Sequence, residues 1–203
     1  MPQENLVIVE TTSGQVLRFV ADHPERILSQ LKVMNPEAYF QRSQLYFSHS
    51  SILAGVPCDK VATVRFEFPL DPGWAFPFGA SRVELIDQDQ FDSQVKVKRV
   101  QAKMVLQNAI LGTDISILQR VNLVNGTALH FRVDIKTVPA AIRMQNVETA
   151  TSFNTFFAFT KTGYILLNRA AIAFWHAFPG PLMAPTGAIS FIEELTDSGS
   201  EAH

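Results

Sequence analysis

The sequence predicts a mainly β or α+β protein, an antiparallel β-sandwich or jelly-roll-like sheet preceded by two short N-terminal helices. Three observations carry this expectation. From residue 61 onward apolar residues recur mainly with period two. Helical spacing is concentrated between residues 22 and 40. Turn signals built on Gly, Pro and Asn separate about eight or nine short runs, as antiparallel folds require.

The opening segment Leu6–Val20 reads as a hairpin around Thr12-Ser13-Gly14. A three-residue loop with Gly14 in the left-handed region would set Val9 opposite Leu17 and Val7 opposite Phe19, whereas a two-residue turn would oppose Val9 to Arg18. Asp22-His23-Pro24-Glu25 resembles a helix start, Asp22 capping and Glu25 reaching back. Ile27, Leu28, Leu31 and Met34 follow at helical spacing. Asn35-Pro36 ends that helix and can start a second short one through Tyr39 and Phe40. These two helices are expected to supply most of the helical content.

Val64, Phe66 and Phe68 alternate with Arg65 and Glu67, a strand with one wet face. Arg82–Asp87 and Gln94–Leu106 are further strand candidates, the second of mixed phase. The clearest unit is Ile115–Val138, where Leu129, Phe131, Val133 and Ile135 alternate with His130, Arg132, Asp134 and Lys136. Its Asn125-Gly126 pair suggests a two-residue turn, but that turn would oppose Val121 to His130 and split the apolar faces. A three-residue loop Val124-Asn125-Gly126 pairs Val121 with Leu129 and Ile117 with Val133, so the register selects it.

Ser152–Thr160 is aromatic and β-prone, and Ala188–Leu195 alternates briefly. The apolar run Gly163–Phe178 fits a buried strand pair or a buried helix, which periodicity does not separate. One domain over residues 1–195 and a polar, disordered tail over 196–203 are expected for a chain of 203 residues.

Hydrophobic residues make up 47% of the chain and charged ones 18%, ample material for a core and unlike a disordered chain. A net charge of -2 and a pI near 6.2 give no overall attraction for nucleic acid or anionic lipid. Asn168, Arg169, His176, Pro179 and Pro181 interrupt the longest apolar stretch, which argues against a membrane span. The single cysteine, Cys58, has no intrachain disulfide partner, and MPQENLVIVE lacks the features of a signal peptide, so a cytoplasmic location is expected. Alternating βα units and Gly-rich phosphate loops are missing from the sequence, which disfavours a parallel nucleotide-binding fold. No cofactor is expected.

Chemistry-bearing residues are sparse. Cys58 precedes Asp59 and Lys60, and a nearby lysine can lower a thiol pKa. A nucleophile at Cys58 needs a base, for which His49 and His176 are the candidates; the plain alternative is a small buried hydrophobe. The histidines at 23, 49, 130, 176 and 203 match no zinc-binding spacing. Asp87, Asp89 and Asp92 could offer oxygen ligands to calcium but lack the glycine and later glutamate of an EF-hand loop, so a solvated turn is favoured. Lys96, Lys98, Arg99 and Lys103, read on a strand, fall on opposite faces and form no single phosphate-binding stripe. Asn125-Gly126-Thr127 matches a glycosylation sequon that its turn role already explains.

The remaining signals are two apolar, irregular connections, residues 69–79 and 178–185. Trp74, Phe76, Phe78, Pro181 and Met183 are their candidate partner-binding residues, since aromatic and methionine side chains are enriched at interfaces; the alternative is that they fold over their own sheet. The function expected is a non-enzymatic structural or interaction protein that forms a homo-oligomer or docks a protein partner, a shell or capsid-like subunit being one form. The alternative is a domain enclosing an apolar small molecule between Phe153, Phe156, Phe157, Phe159, Phe174 and Trp175. A cysteine-dependent enzyme ranks last.

Overall fold

The computed structural model describes residues 5–49, 52–76, 79–107, 111–139, 142 and 153–178. Along the chain lie β1 (Leu6–Thr11), β2 (Val16–Val20), α1 (Pro24–Lys32), β3 (Gln44–His49), β4 (Ile52–Pro57), β5 (Val61–Glu67) and β6 (Ala80–Ile86). They are followed by α2 (Gln88–Gln107), β7 (Asp114–Leu123), β8 (Ala128–Lys136), β9 (Thr155–Phe159), β10 (Tyr164–Asn168) and β11 (Ile172–Phe178). Short 3-10 turns occupy Pro36–Ala38, Cys58–Lys60 and Arg169–Ala171.

The protein is mainly β. Nine strands join in one mixed sheet, ordered β11-β7-β8-β6-β9-β10-β5-β1-β2, and β3 and β4 form a separate hairpin. Hydrogen bonding therefore draws one large sheet rather than the two sheets expected of a sandwich or jelly roll. The β6–β9 pair is parallel, joined at Glu84 and Phe159, and the other pairs are antiparallel.

Both hairpin registers follow from their loops. Val9 pairs with Leu17 and Val7 with Phe19; Val121 pairs with Leu129 and Ile117 with Val133. Gly14 N donates to Thr11 O and Thr11 N to Gln15 O; Gly126 N donates to Leu123 O and Leu123 N to Thr127 O. Each loop is thus a turn closed by a left-handed glycine, with φ +84° at Gly14 and +88° at Gly126.

The helices differ from expectation. Residues 94–106 belong to the 20-residue helix α2, not to a strand, so the early helices are not the main helical content. Asp87 starts α2: its Oδ1 accepts from Gln90 N at 2.8 Å, satisfying an otherwise free amide. Apolar alternation at Val95 and Val97 suggested a strand, yet the segment is rich in Gln, Lys, Arg, Ala and Met, all good helix formers. The separation of Lys96 and Lys98 from Arg99 and Lys103 by strand geometry lapses with it. In α1 the N-cap is His23, without a side-chain cap bond, and not Asp22. Proline at the first helical position presets its backbone. The second early helix is only the 3-10 turn Pro36–Ala38, capped by Asn35 Oδ1 accepting from Glu37 N at 3.0 Å.

Burial explains the first half of the ambiguous run, whereas Ala173, Phe174 and Trp175 in its second half are exposed. In β10, Tyr164 and Leu166 enter a core with Val7, Val9, Val64, Phe66, Leu31 and Phe157. Ile165 and Leu167 enter a second core with Val121, Leu129, Phe131, Ala158 and Ala62. A strand covered on both faces reads as an unbroken apolar string. Residues 164–168 and 172–178 are indeed two strands, but each pairs elsewhere, β10 with β5 and β9, β11 with β7. The expected strand 188–195 and tail 196–203 lie outside the described residues.

Candidate functional site

Three chain corners meet at one end of the sheet. Residues 40–43 lead into β3, Cys58 and Asp59 turn the chain from β4 to β5, and Asn168–Ala170 leave β10. Together with Asn154 and Ile172 they line a cleft of about 750 Å³, within the range of small-molecule sites.

Asn168 fixes the floor. Buried at the end of β10, it donates Nδ2 to Cys58 O at 3.0 Å and Val61 O at 2.9 Å, while Oδ1 accepts from Ala170 N at 3.0 Å. One side chain thereby holds two of the three corners. On the rim, Asp59 pairs with Lys60 at 3.3 Å. Arg42 lies 5.9 Å from the Tyr39 ring centroid and donates to Met34 Sδ at 2.9 Å. The Arg169 side chain makes no ion pair or hydrogen bond among the described residues.

Cys58 is 2% exposed. Burial pushes its thiol pKa up, with the Arg42 charge pulling against that shift and Asp59 adding to it. The group is therefore a protonated thiol at neutral pH, a poor nucleophile. His176 lies on β11 opposite Arg120, and His49 ends β3; no histidine is among the described residues lining the cleft.

The acidic trio lies at the start of α2. Asp87 caps the helix and pairs with Lys161 at 3.5 Å, while Asp89 and Asp92 follow on the helix itself. Among the described residues no group of three His, Cys, Asp or Glu side chains is arranged to hold a metal. No helix among them is long and apolar enough to cross a membrane.

Trp74 and Phe76 turn inward. Trp74 donates Nε1–H to Leu31 O at 3.0 Å and stands edge-on to Phe157 and Tyr164, while Phe76 stacks on Phe157 with centroids 5.3 Å apart. These rings fill the space beside Phe157 and Phe159. Phe78, Pro181 and Met183 lie outside the described residues. Asn125 is also engaged, its amide donating to Glu10 Oε1 and Thr11 O.

Large aromatics are exposed on β11, where Phe174 is 51% and Trp175 41% exposed, and on β3, where Tyr46 is 63% exposed. A bulge at Ala173 shifts the register between Ile172 and Phe174. From the sequence, Phe174 and Trp175 are expected only as lining of the alternative apolar pocket, and Arg42, Arg169 and Asn168 are not among the expected site residues. The available signal was the polar Asn168-Arg169 pair breaking an apolar run, which only a covered turn or a site requires.

No family model, no curated protein and no solved structure matches this chain.

Proposed function

We propose that this protein is a non-enzymatic interaction subunit that self-associates through the β11 edge of its large sheet. One observation carries the reading: β11 has a single strand neighbour, β7, among the described residues, yet presents a seven-residue edge without Lys, Arg, Asp, Glu or Pro. Sheet edges are normally guarded by lysine, proline or a cover, because unpaired backbone groups recruit other strands. The opposite edge, β2, carries the exposed Arg18. An edge without lysine, arginine or acidic side chains can meet its own copy, and antiparallel pairing about a two-fold axis uses the same patch twice. Centred on Trp175, such pairing sets Phe174 of one copy opposite His176 of the other and covers both exposed rings.

The test is light scattering coupled to size exclusion over a concentration series. Wild type is expected as a dimer, or as a larger closed assembly if the subunit forms a shell, and Trp175→Lys as a folded monomer with unchanged circular dichroism. A wild-type monomer throughout the series, or a Trp175→Lys oligomer of unaltered mass, overturns the reading.

A further inference from the structure

The cleft described above has a charge pattern that the edge-strand reading leaves unused. Its lining carries three formal charges, Arg42, Arg169 and Asp59. Lys60 already neutralises Asp59. Among the described residues the two guanidiniums have no carboxylate partner, whereas Arg65, Arg82 and Arg132 each pair with an acid elsewhere on the sheet. The side-chain amide of Asn154 also makes no bond among the described residues, while its backbone is tied down by Glu37 and Arg169. The same cleft is also lined by the apolar Phe40, Ala170 and Ile172.

We propose that this cleft binds a small organic carboxylate, its charged end held by Arg42 and Arg169 and its apolar body laid against Phe40 and Ile172. A planar guanidinium presents paired N–H donors that match a carboxylate, and two arginines line the same cleft. The apolar lining distinguishes this site from a bare anion patch, because an inorganic ion gains nothing from it. The three bonds of Asn168 hold two of the corners and Cys58 N donates to Ser43 O of the third at 3.1 Å, which lowers the ordering cost of binding.

The experiment is a two-dimensional amide NMR titration of the full, isotope-labelled chain with sodium benzoate, with sodium phosphate and sodium chloride as parallel arms at equal ionic strength. Benzoate is expected to produce saturable shifts at residues 40–43, 58–59 and 168–172, with a dissociation constant on the order of 1 mM or tighter. Arg42→Ala and Arg169→Ala, made singly, should each weaken binding about tenfold. Arg42→Lys, which keeps the charge and removes the fork, should weaken it as well while retaining the native spectrum. Equal shifts with chloride, tighter binding of phosphate than of benzoate, shifts that fail to saturate, or unchanged affinity in all three variants each overturn the proposal.

Discussion

Asn125, at the tip of the β7–β8 hairpin, donates its side-chain amide to Glu10 Oε1 on β1 at 2.8 Å, across 115 positions of sequence. Thr127 Oγ1 donates to the same oxygen at 2.6 Å, and Asn125 Nδ2 also reaches Thr11 O at 3.0 Å. One hairpin's loop is thus fastened to the other's. Because the carboxylate is half-buried and accepts two side-chain bonds, Glu10→Ala should lower stability by about 1–3 kcal/mol. A Glu10/Asn125 double-mutant cycle in urea should give a coupling of about 0.5 kcal/mol or more; strict additivity would show that the contact does not form in solution.

Gly163 precedes β10 with no room for a side chain. A Cβ there would collide with the carbonyl oxygens of Phe66 and Phe68, backbone atoms that cannot rotate away. Gly163→Ala should therefore cost about 3 kcal/mol. Thermal unfolding within about 1 °C of wild type would contradict the close approach.

His130 lies buried on β8 beneath Phe91 of α2, ring centroids 4.7 Å apart. Burial first, and the Arg120 charge second, push its pKa below the ordinary value, with Asp92 opposing. The folded state thus resists protonation that the unfolded chain accepts. Stability should be independent of this group above about pH 6.5 and decline as pH falls from there through the depressed native pKa. His130→Gln should flatten that decline in denaturant titrations at pH 7.5 and 5.5; an equal loss in variant and wild type would assign the pH dependence elsewhere.

Cys58, buried and protonated, should react slowly with a thiol reagent in the native protein and rapidly once unfolded in guanidinium. Labelling at the unfolded rate under native conditions would show an open thiol.

Asp87→Ala removes the cap on α2 and should cost about 1 kcal/mol. Unfolding curves that superimpose would show the cap to be dispensable.

What the sequence disclosed depended on how local the deciding physics was. The hairpin at Asn125-Gly126 was legible because a one-residue slip would turn every apolar side chain to the wrong face, so residues 115–138 contain their own register. Helix α2 was misread because Val95 and Val97 matched a strand, although Asp87 and Gln90 already carried the spacing of a cap. The order of strands was beyond reach, since β10 pairs not only with nearby β9 but also with β5, about a hundred positions earlier. The cleft was illegible for the same reason: Arg42, Cys58 and Asn168 become neighbours only when three corners converge.

The lone parallel seam between β6 and β9 divides the large sheet into two antiparallel blocks, β11-β7-β8-β6 and β9-β10-β5-β1-β2. Neither block is contiguous along the chain, for β9 and β10 are made after β7 and β8 but belong with β5. During synthesis, the β5-β1-β2 group therefore has its β5 flank unpartnered until residues 155–168 have emerged. Long-range closure of this kind is slow, and an unpartnered strand flank is a template for stray strand pairing.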